Sequence, residues 1–187
     1  TGEKIKQVKA ILTDFPPAEF RYRNLSEDER DDAILCVLKK VEEIDLPESG
    51  VNDVSRWEKG WGEVLEKINN SGFSIEVLRP QYFHYDILRY GGNYIKVPDA
   101  NLEFDFYTTI RRILFRKYFN GFKKIIEFGC GTGTNLMILC ELFPGVLLTG
   151  CDWAHSSQQI IKIMSKKLNA KIEGVQFNML TLVGKEN

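Results

Sequence analysis

The sequence predicts an α/β fold, a short parallel sheet with crossover helices behind a mainly helical N-terminal segment. Three observations predict it. From residue 123 onward, short apolar runs alternate with stretches whose apolar residues recur at helical spacing. The first of those runs ends in a cluster of glycines. Before residue 72, the apolar residues keep helical spacing alone. Strand–helix alternation implies a parallel sheet, because two parallel strands need a crossover connection between them.

The N-terminal elements follow from spacing and end signals. Ile5, Val8, Ile11 and Leu12 lie on one helical face ahead of Pro16-Pro17, which cannot continue a helix. Ser26 and Glu29 form a capping box, in which each side chain reaches the other's backbone N–H. Ile34, Val37, Leu38 and Val41 mark the apolar face that follows, and Pro47 and Gly50 end that run. Ser55 and Glu58 repeat the capping pattern ahead of Trp57, Trp61, Val64, Leu65 and Ile68. This stripe reads as core, and Asn69-Asn70-Ser71-Gly72 stops it.

Residues 73–98 change character. Phe73, Ile75 and Val77 alternate with Ser74 and Glu76, which predicts a strand. Arg79 to Tyr85 and Arg89 to Tyr94 are aromatic-rich, and Gly91-Gly92-Asn93 suits a tight turn. A helix is predicted over 102–119, with Ile110, Ile113, Leu114 and Tyr118 as its apolar face. Arg111, Arg112, Arg116 and Lys117 form a basic face, read as solvated surface.

The strands and helices beyond 123 are short and clear. Ile125 to Phe128 is the first strand, and Leu136 to Phe143 a helix stopped by Pro144-Gly145. Val146 to Cys151 is the second strand; Ile160, Ile161, Met164 and Leu168 mark a second helix; Ile172 to Phe177 is the third strand. This divides the chain into a helical and aromatic-rich extension over 1–100 and an α/β unit over 101–187, Rossmann-like but with only three strands.

Composition narrows the function classes. The chain has 187 residues, 43% of them hydrophobic, enough to bury a core without staples. A net charge of −1 gives no global field toward nucleic acid or membrane. No apolar run reaches the roughly 18 residues that would suggest a bilayer span. No signal peptide is visible, and the chain begins at Thr1, which leaves its natural start open. Cys36, Cys130, Cys140 and Cys151 form no Cys-x-x-Cys pair and have no histidine at metal spacing. They are expected as free thiols, with no metal site, in a reducing cytoplasm.

Glu127-Phe128-Gly129-Cys130-Gly131-Thr132-Gly133 carries the chemistry. It follows a buried strand and opens a helix. Glycines there adopt torsions a side chain would forbid and let backbone approach a ligand. The helix N-terminus adds free N–H groups and partial positive charge. A plain strand–helix turn and a dinucleotide site compete as readings. The dinucleotide fingerprint is Gly-x-Gly-x-x-Gly, whereas this loop is Gly129-x-Gly131-x-Gly133 with an acid ahead of it. Asp152 ends the second strand, 19 residues after Gly133. A carboxylate there accepts from ribose hydroxyls in either cofactor class.

At these residues the sequence resembles the class I S-adenosylmethionine-dependent methyltransferases, over about 123–180. Ile126 to Gly133 is similar to that family's first motif, Leu148-Thr149-Gly150-Cys151-Asp152-Trp153 to its second, and Phe177-Asn178-Met179-Leu180 to its third. The third departs from the pattern, with Asn178 where the family usually has Asp. The resemblance implies S-adenosylmethionine as cofactor and S-adenosylhomocysteine as product. It places Gly129, Gly131 and Gly133 along the methionine part, with Phe128 and Cys130 in the same loop. It assigns the amino group to Glu127, the ribose hydroxyls to Asp152 and the adenine face to Trp153. Asn178 would face the adenine amino group and the Met179 N–H the adenine ring nitrogen. Asn still accepts through its side-chain oxygen but removes a charge, so some affinity should be lost.

The sequence marks no catalytic residue. His84 and His155 read first as structural. Tyr82, Tyr85, Tyr90 and Tyr94 suggest a lid over an acceptor, with Arg79 or Arg89 reaching a carboxylate or phosphate. The family's sheet has seven strands, so the open edge of Ile125–Phe128 needs an explanation. The chain is read as a fragment of a longer enzyme. The alternatives are cover by the N-terminal segment or a second copy, or a degenerate relative. The expected partner is a small-molecule acceptor, without nucleic acid or membrane. The competing functions are a non-catalytic cofactor-binding or scaffolding module, a nucleic-acid methyltransferase, and a nicotinamide-dependent oxidoreductase.

Overall fold

The computed structural model describes residues 21–43, 54–80, 82–83, 85–179 and 183–184. The expected helical face over 5–12, the stops at Pro16-Pro17 and at Pro47 and Gly50, and His84 lie outside the described residues. The elements in chain order are β1 (Arg23–Asn24), α1 (Glu27–Glu43), α2 (Val54–Ser71), α3 (Ile75–Leu78), β2 (Ile87–Tyr90) and β3 (Asn93–Lys96). They continue with α4 (Leu102–Tyr118), β4 (Lys124–Phe128), α5 (Thr134–Leu142), β5 (Leu147–Asp152), α6 (His155–Leu168), β6 (Ile172–Asn178) and β7 (Val183–Gly184).

The α/β architecture is the expected one. Strands β4, β5 and β6 are parallel and adjacent in that order, with Phe128 opposite Cys151 and Cys151 opposite Val175. This is a Rossmann-like three-stranded parallel sheet joined by crossover helices. The two-residue β7 adds an antiparallel partner to the far edge of β6. Among the described residues, nothing pairs with the outer edge of β4.

One face of the sheet carries the core. Ile125, Leu148 and Ile172 point from the three strands into a single apolar cluster. Leu136 and Leu139 of α5 and Ile160, Ile161 and Met164 of α6 fill it. Val64 and Ile68 of α2, and Leu78 of α3, belong to the same cluster. The stripe on α2 is therefore core, as its spacing implied. The opposite face behaves differently. Side chains alternate across a strand, and Ile126, Phe128 and Val175 on that other face are exposed.

A small antiparallel sheet, β1-β3-β2, sits apart from the main one. Gly91 and Gly92 form its two-residue turn, both with positive φ, and Tyr90 pairs with Asn93 across it. Two positive φ values in succession are what a type I′ hairpin turn requires. Ile95 and Val97 of this region bury against Leu102 at the start of α4.

Several local expectations change. The strand predicted over 73–77 is a helical turn. Ser74 has extended backbone, and its hydroxyl accepts from the Val77 N–H, so it caps α3. The capping box at Ser26 forms, with the Ser26 N–H donating to Glu29 and the Glu29 N–H to the Ser26 hydroxyl. The Arg23 guanidinium, backed by the Ser26 N–H, holds the Glu29 carboxyl down at about 2. Ser55 and Glu58 form no such box, because Ser55 already lies inside α2 and Glu58 serves another helix. The basic face of α4 is not uniformly solvated. Arg112 is buried and ion-paired with Glu141 of α5, which ties α4 to α5. Tyr118, expected on the apolar face, is exposed. On α1, Val37, Leu38 and Val41 are each more than half exposed despite their regular spacing. Among the described residues, no helix is long and apolar enough to cross a membrane.

Candidate functional site

The glycine loop between β4 and α5 is fixed by backbone demand. Gly129, Gly131 and Gly133 all have positive φ, a conformation side chains resist. The loop closes on the C-terminal end of β5. The N–H groups of Gly129 and Cys130 both donate to the Cys151 carbonyl, at 2.8 and 3.1 Å. The Gly131 N–H donates to Asp152 Oδ2 at 2.9 Å, and the Ser157 hydroxyl donates to the Gly131 carbonyl at 2.6 Å. The loop is thus held by β5 and by the first turn of α6, and arrives at the site rigid.

The three glycines do different work. A Cβ on Gly133 would lie 2.5 Å from Ile161 and 2.8 Å from Met164, so its missing side chain lets α6 pack close. A Cβ on Gly131 would stand 3.0 Å from the Trp61 ring of α2. A Cβ on Gly129 would meet only the end of Met179, at 3.6 Å. The sequence alone did not link Trp61 to the loop. Its spacing marked it for burial without naming what it would touch.

Asp152 sits at the end of β5, only 5% exposed. Its Oδ1 accepts from the Ala154 N–H at 3.0 Å, while Oδ2 holds Gly131. The carboxylate therefore ties the glycine loop to the β5–α6 turn. Each oxygen keeps a second lone pair for a ligand donor. Trp153 follows, half-buried, its carbonyl accepting from the Gln176 side chain of β6. Asn178 and Met179 lie at the end of β6, Asn178 half-buried and Met179 exposed. Phe128, at the end of β4, is exposed on the open face of the sheet, and its ring contacts that of Phe177 at 5.8 Å between centroids. The residues expected at the site thus lie at the C-terminal ends of the three parallel strands, where open α/β sheets bind ligands.

Glu127 brings a second carboxyl group to the site beside Asp152. The Asn135 side chain donates to Glu127 Oε1 at 2.7 Å. The second oxygen, Oε2, is buried and has no hydrogen-bond partner among the described residues. Burial pushes this carboxyl up to about 7, although Asn135 and the nearby Arg111 favour its ionised form. A buried carboxylate oxygen without a donor carries a cost, and a ligand ammonium or N–H would remove it. Cys130 is no nucleophile. Burial pushes its thiol up to about 12, and its sulfur lies 3.6 Å from the Ser157 hydroxyl. A thiolate, not a thiol, attacks or binds metal.

Helix α2 completes the neighbourhood from a distant part of the chain. Glu58 accepts from the N–H groups of His155 and Ser156, at 2.6 and 2.8 Å, and its carbonyl accepts from the Ser156 hydroxyl. It caps α6 from outside, because a carboxylate at a helix N-terminus satisfies free N–H groups and the dipole. His155 opens α6 and is exposed. The Tyr group divides. Tyr82 lines a cavity with Trp57 and Trp61, whereas Tyr90 contacts Tyr22 beside the small sheet. Tyr94 lies on β3, opposite Arg89. Arg79 lies over the Phe104 ring, 5.0 Å from its centroid. A second cavity, of about 950 Å³, runs along α6 and β6 past Gln158, Lys162 and Gln176, and is lined by no residue of the glycine loop. No protein-family model matches this sequence, and no curated protein matches it.

Proposed function

We propose that this chain is the cofactor-binding half of an S-adenosylmethionine-dependent methyltransferase acting on a small-molecule acceptor. The observation that carries the reading is the buried, unpartnered Glu127 Oε2 beside a rigid three-glycine loop at the end of β4. It suits a ligand that presents an amino group to the loop. Glu127 would take that amino group, with Gly129 and Gly131 giving it backbone access. Asp152 would offer its remaining lone pairs to the ribose, Trp153 its ring to the adenine face, and Asn178 and the Met179 N–H the adenine edge. S-adenosylmethionine, when bound, would supply an electrophilic methyl group for the acceptor's lone pair, with the neutral thioether as leaving group and the acceptor's proton passing to solvent. The protein's part in such a displacement is positioning. The setting that fits is cytoplasmic, since Cys36, Cys130, Cys140 and Cys151 are all free thiols.

A second reading has its own observation. The exposed apolar face formed by Ile126, Phe128 and Val175 suits a module that binds the cofactor and docks elsewhere without catalysis. A nicotinamide-dependent oxidoreductase is disfavoured by the glycine spacing.

Calorimetric titration with S-adenosylhomocysteine, and with NAD as control, tests the reading. S-adenosylhomocysteine should bind and NAD should not. An ammonium needs Glu127 ionised, so affinity should fall as pH drops through about 7, with proton release on binding at lower pH. Glu127→Gln should weaken binding about tenfold or more at pH 8 and flatten the pH dependence. Binding of NAD alone, or of neither ligand, would sink the proposal.

A further inference from the structure

Beside the glycine loop, helix α2, Pro80 and Tyr82 line an open cavity of about 440 Å³. Its aromatic walls are Trp57, Trp61 and Tyr82; Arg56, Lys59 and Glu63 carry its charge. The two indoles are in contact, with centroids 5.5 Å apart and planes tilted by 31°. Trp61 faces both ways. It lines this cavity, and it is also the ring against which a Cβ on Gly131 would stand at 3.0 Å. One side chain therefore separates the cavity from the cofactor loop. Glu58, about one helical turn before Trp61, ties α2 to α6 through the His155 and Ser156 N–H groups. Arg111 links the two regions electrostatically, since its charge acts on both Tyr82 and Glu127.

We infer that this cavity is the acceptor site, and that it takes a planar aromatic molecule bearing an anionic group. The inference rests on the methyltransferase reading. The size falls within the range of small-molecule sites. Flat aromatic walls favour a flat ligand, through offset stacking and apolar burial. Among the described lining residues, the bases Arg56 and Lys59 outnumber the acid Glu63, which favours an anionic ligand. Direct displacement needs the reacting atoms about 3–3.5 Å apart, so acceptor and cofactor would meet where the Trp61 ring now stands, and that ring must turn aside for methyl transfer.

Naphthoate, an aromatic carboxylate, and naphthylmethanol, its neutral counterpart, serve as probes of the whole chain by fluorescence and calorimetry. Naphthoate should bind saturably and more tightly than the alcohol. Trp57→Ala and Tyr82→Ala should each weaken it about tenfold. Trp57 is 39% and Tyr82 56% exposed, and neither belongs to the buried core, so the variants should fold. Lys59→Met should weaken naphthoate by up to roughly fivefold and leave the affinity of the alcohol unchanged. Lys162→Met, on α6, should leave both affinities at their wild-type values. Saturating S-adenosylhomocysteine should change naphthoate affinity by about threefold or more, and the effect must be reciprocal. No saturable naphthoate binding, or equal binding by Trp57→Ala and Tyr82→Ala, overturns the inference while S-adenosylhomocysteine binding leaves the cofactor reading standing. Naphthoate binding by a protein that binds no S-adenosylhomocysteine overturns the cofactor reading, and the acceptor role with it.

Discussion

The two faces of the central sheet are built from the same three strands and meet opposite fates. On one face, Ile125, Leu148 and Ile172 are covered by α5, α6 and α2 in a continuous core. On the other, Ile126, Phe128 and Val175 stand exposed. Strand patterning is the same on both, because side chains alternate. What differs is the supply of helices. Two consecutive crossovers along β4-β5-β6 place their helices on the same side, and α2 joins them there. The lesson concerns the site. The covered face holds the glycine loop from behind, through Asp152, Ser157 and the Met164 packing at Gly133. The glycine loop is therefore anchored from the covered side, even though Ile126, Phe128 and Val175 on the other face are exposed.

The largest expected effect tests the covered face. Leu136 is fully buried, and its side chain lies where a Cβ on Gly150 would fall, 2.6 Å away. Leu136→Ala should cost about 2–5 kcal/mol, read as a lower urea midpoint at unchanged slope. A loss below about 1 kcal/mol would mean that this face is not the stabilising one, and the comparison would fail.

The covered face was also the part most legible in the sequence. Strands β4, β5 and β6 and helices α5 and α6 announced themselves by period, and Gly129, Gly131 and Gly133 by a backbone need that only glycine meets. These are local signals. What the sequence did not disclose depends on distant partners. Glu58 resembles a helix-start residue, yet it caps a helix 97 residues away. Arg112 belongs to a basic run, yet it pairs with Glu141 on another helix. Trp61 reads as core, and nothing in its neighbours names Gly131 as its contact. Ser74 failed for a different reason. Three apolar residues alternating with two polar ones fit one helical turn as well as a short strand, and the serine cap decided the matter. Strand β1 has only two residues, too few to show any period.

The next effect in size sharpens the comparison at its junction, where α2 meets α6. Glu58→Ala removes the acceptor for two backbone N–H groups at the α6 N-terminus. The cost should be about 1 kcal/mol, with faster hydrogen exchange at His155 and Ser156. Glu58→Gln keeps an oxygen acceptor but loses the charge that complements the helix dipole, so it should lose less. Equal stability of wild type and Glu58→Ala would mean that α2 is held by its apolar stripe alone, through Val64 and Ile68.

The smallest effect is expected on the bare face, and it decides what that face is. Phe128 is 59% exposed, and among the described residues its ring contacts that of Phe177. If the face is open in solution, Phe128→Ser should change stability by no more than about 0.5 kcal/mol, because little apolar area returns to water. It should also reduce binding of a hydrophobic dye, since it shrinks an exposed apolar patch. If a second copy covers the face, the same substitution removes interface area instead. The melting temperature of the wild type would then rise with protein concentration, as mass action requires, and that dependence would weaken in the variant. Dilution therefore separates the two cases, even where the single-concentration stabilities agree. A concentration-dependent wild type would make the second layer of this sheet intermolecular, and the two faces would then differ in the source of their cover rather than in its presence.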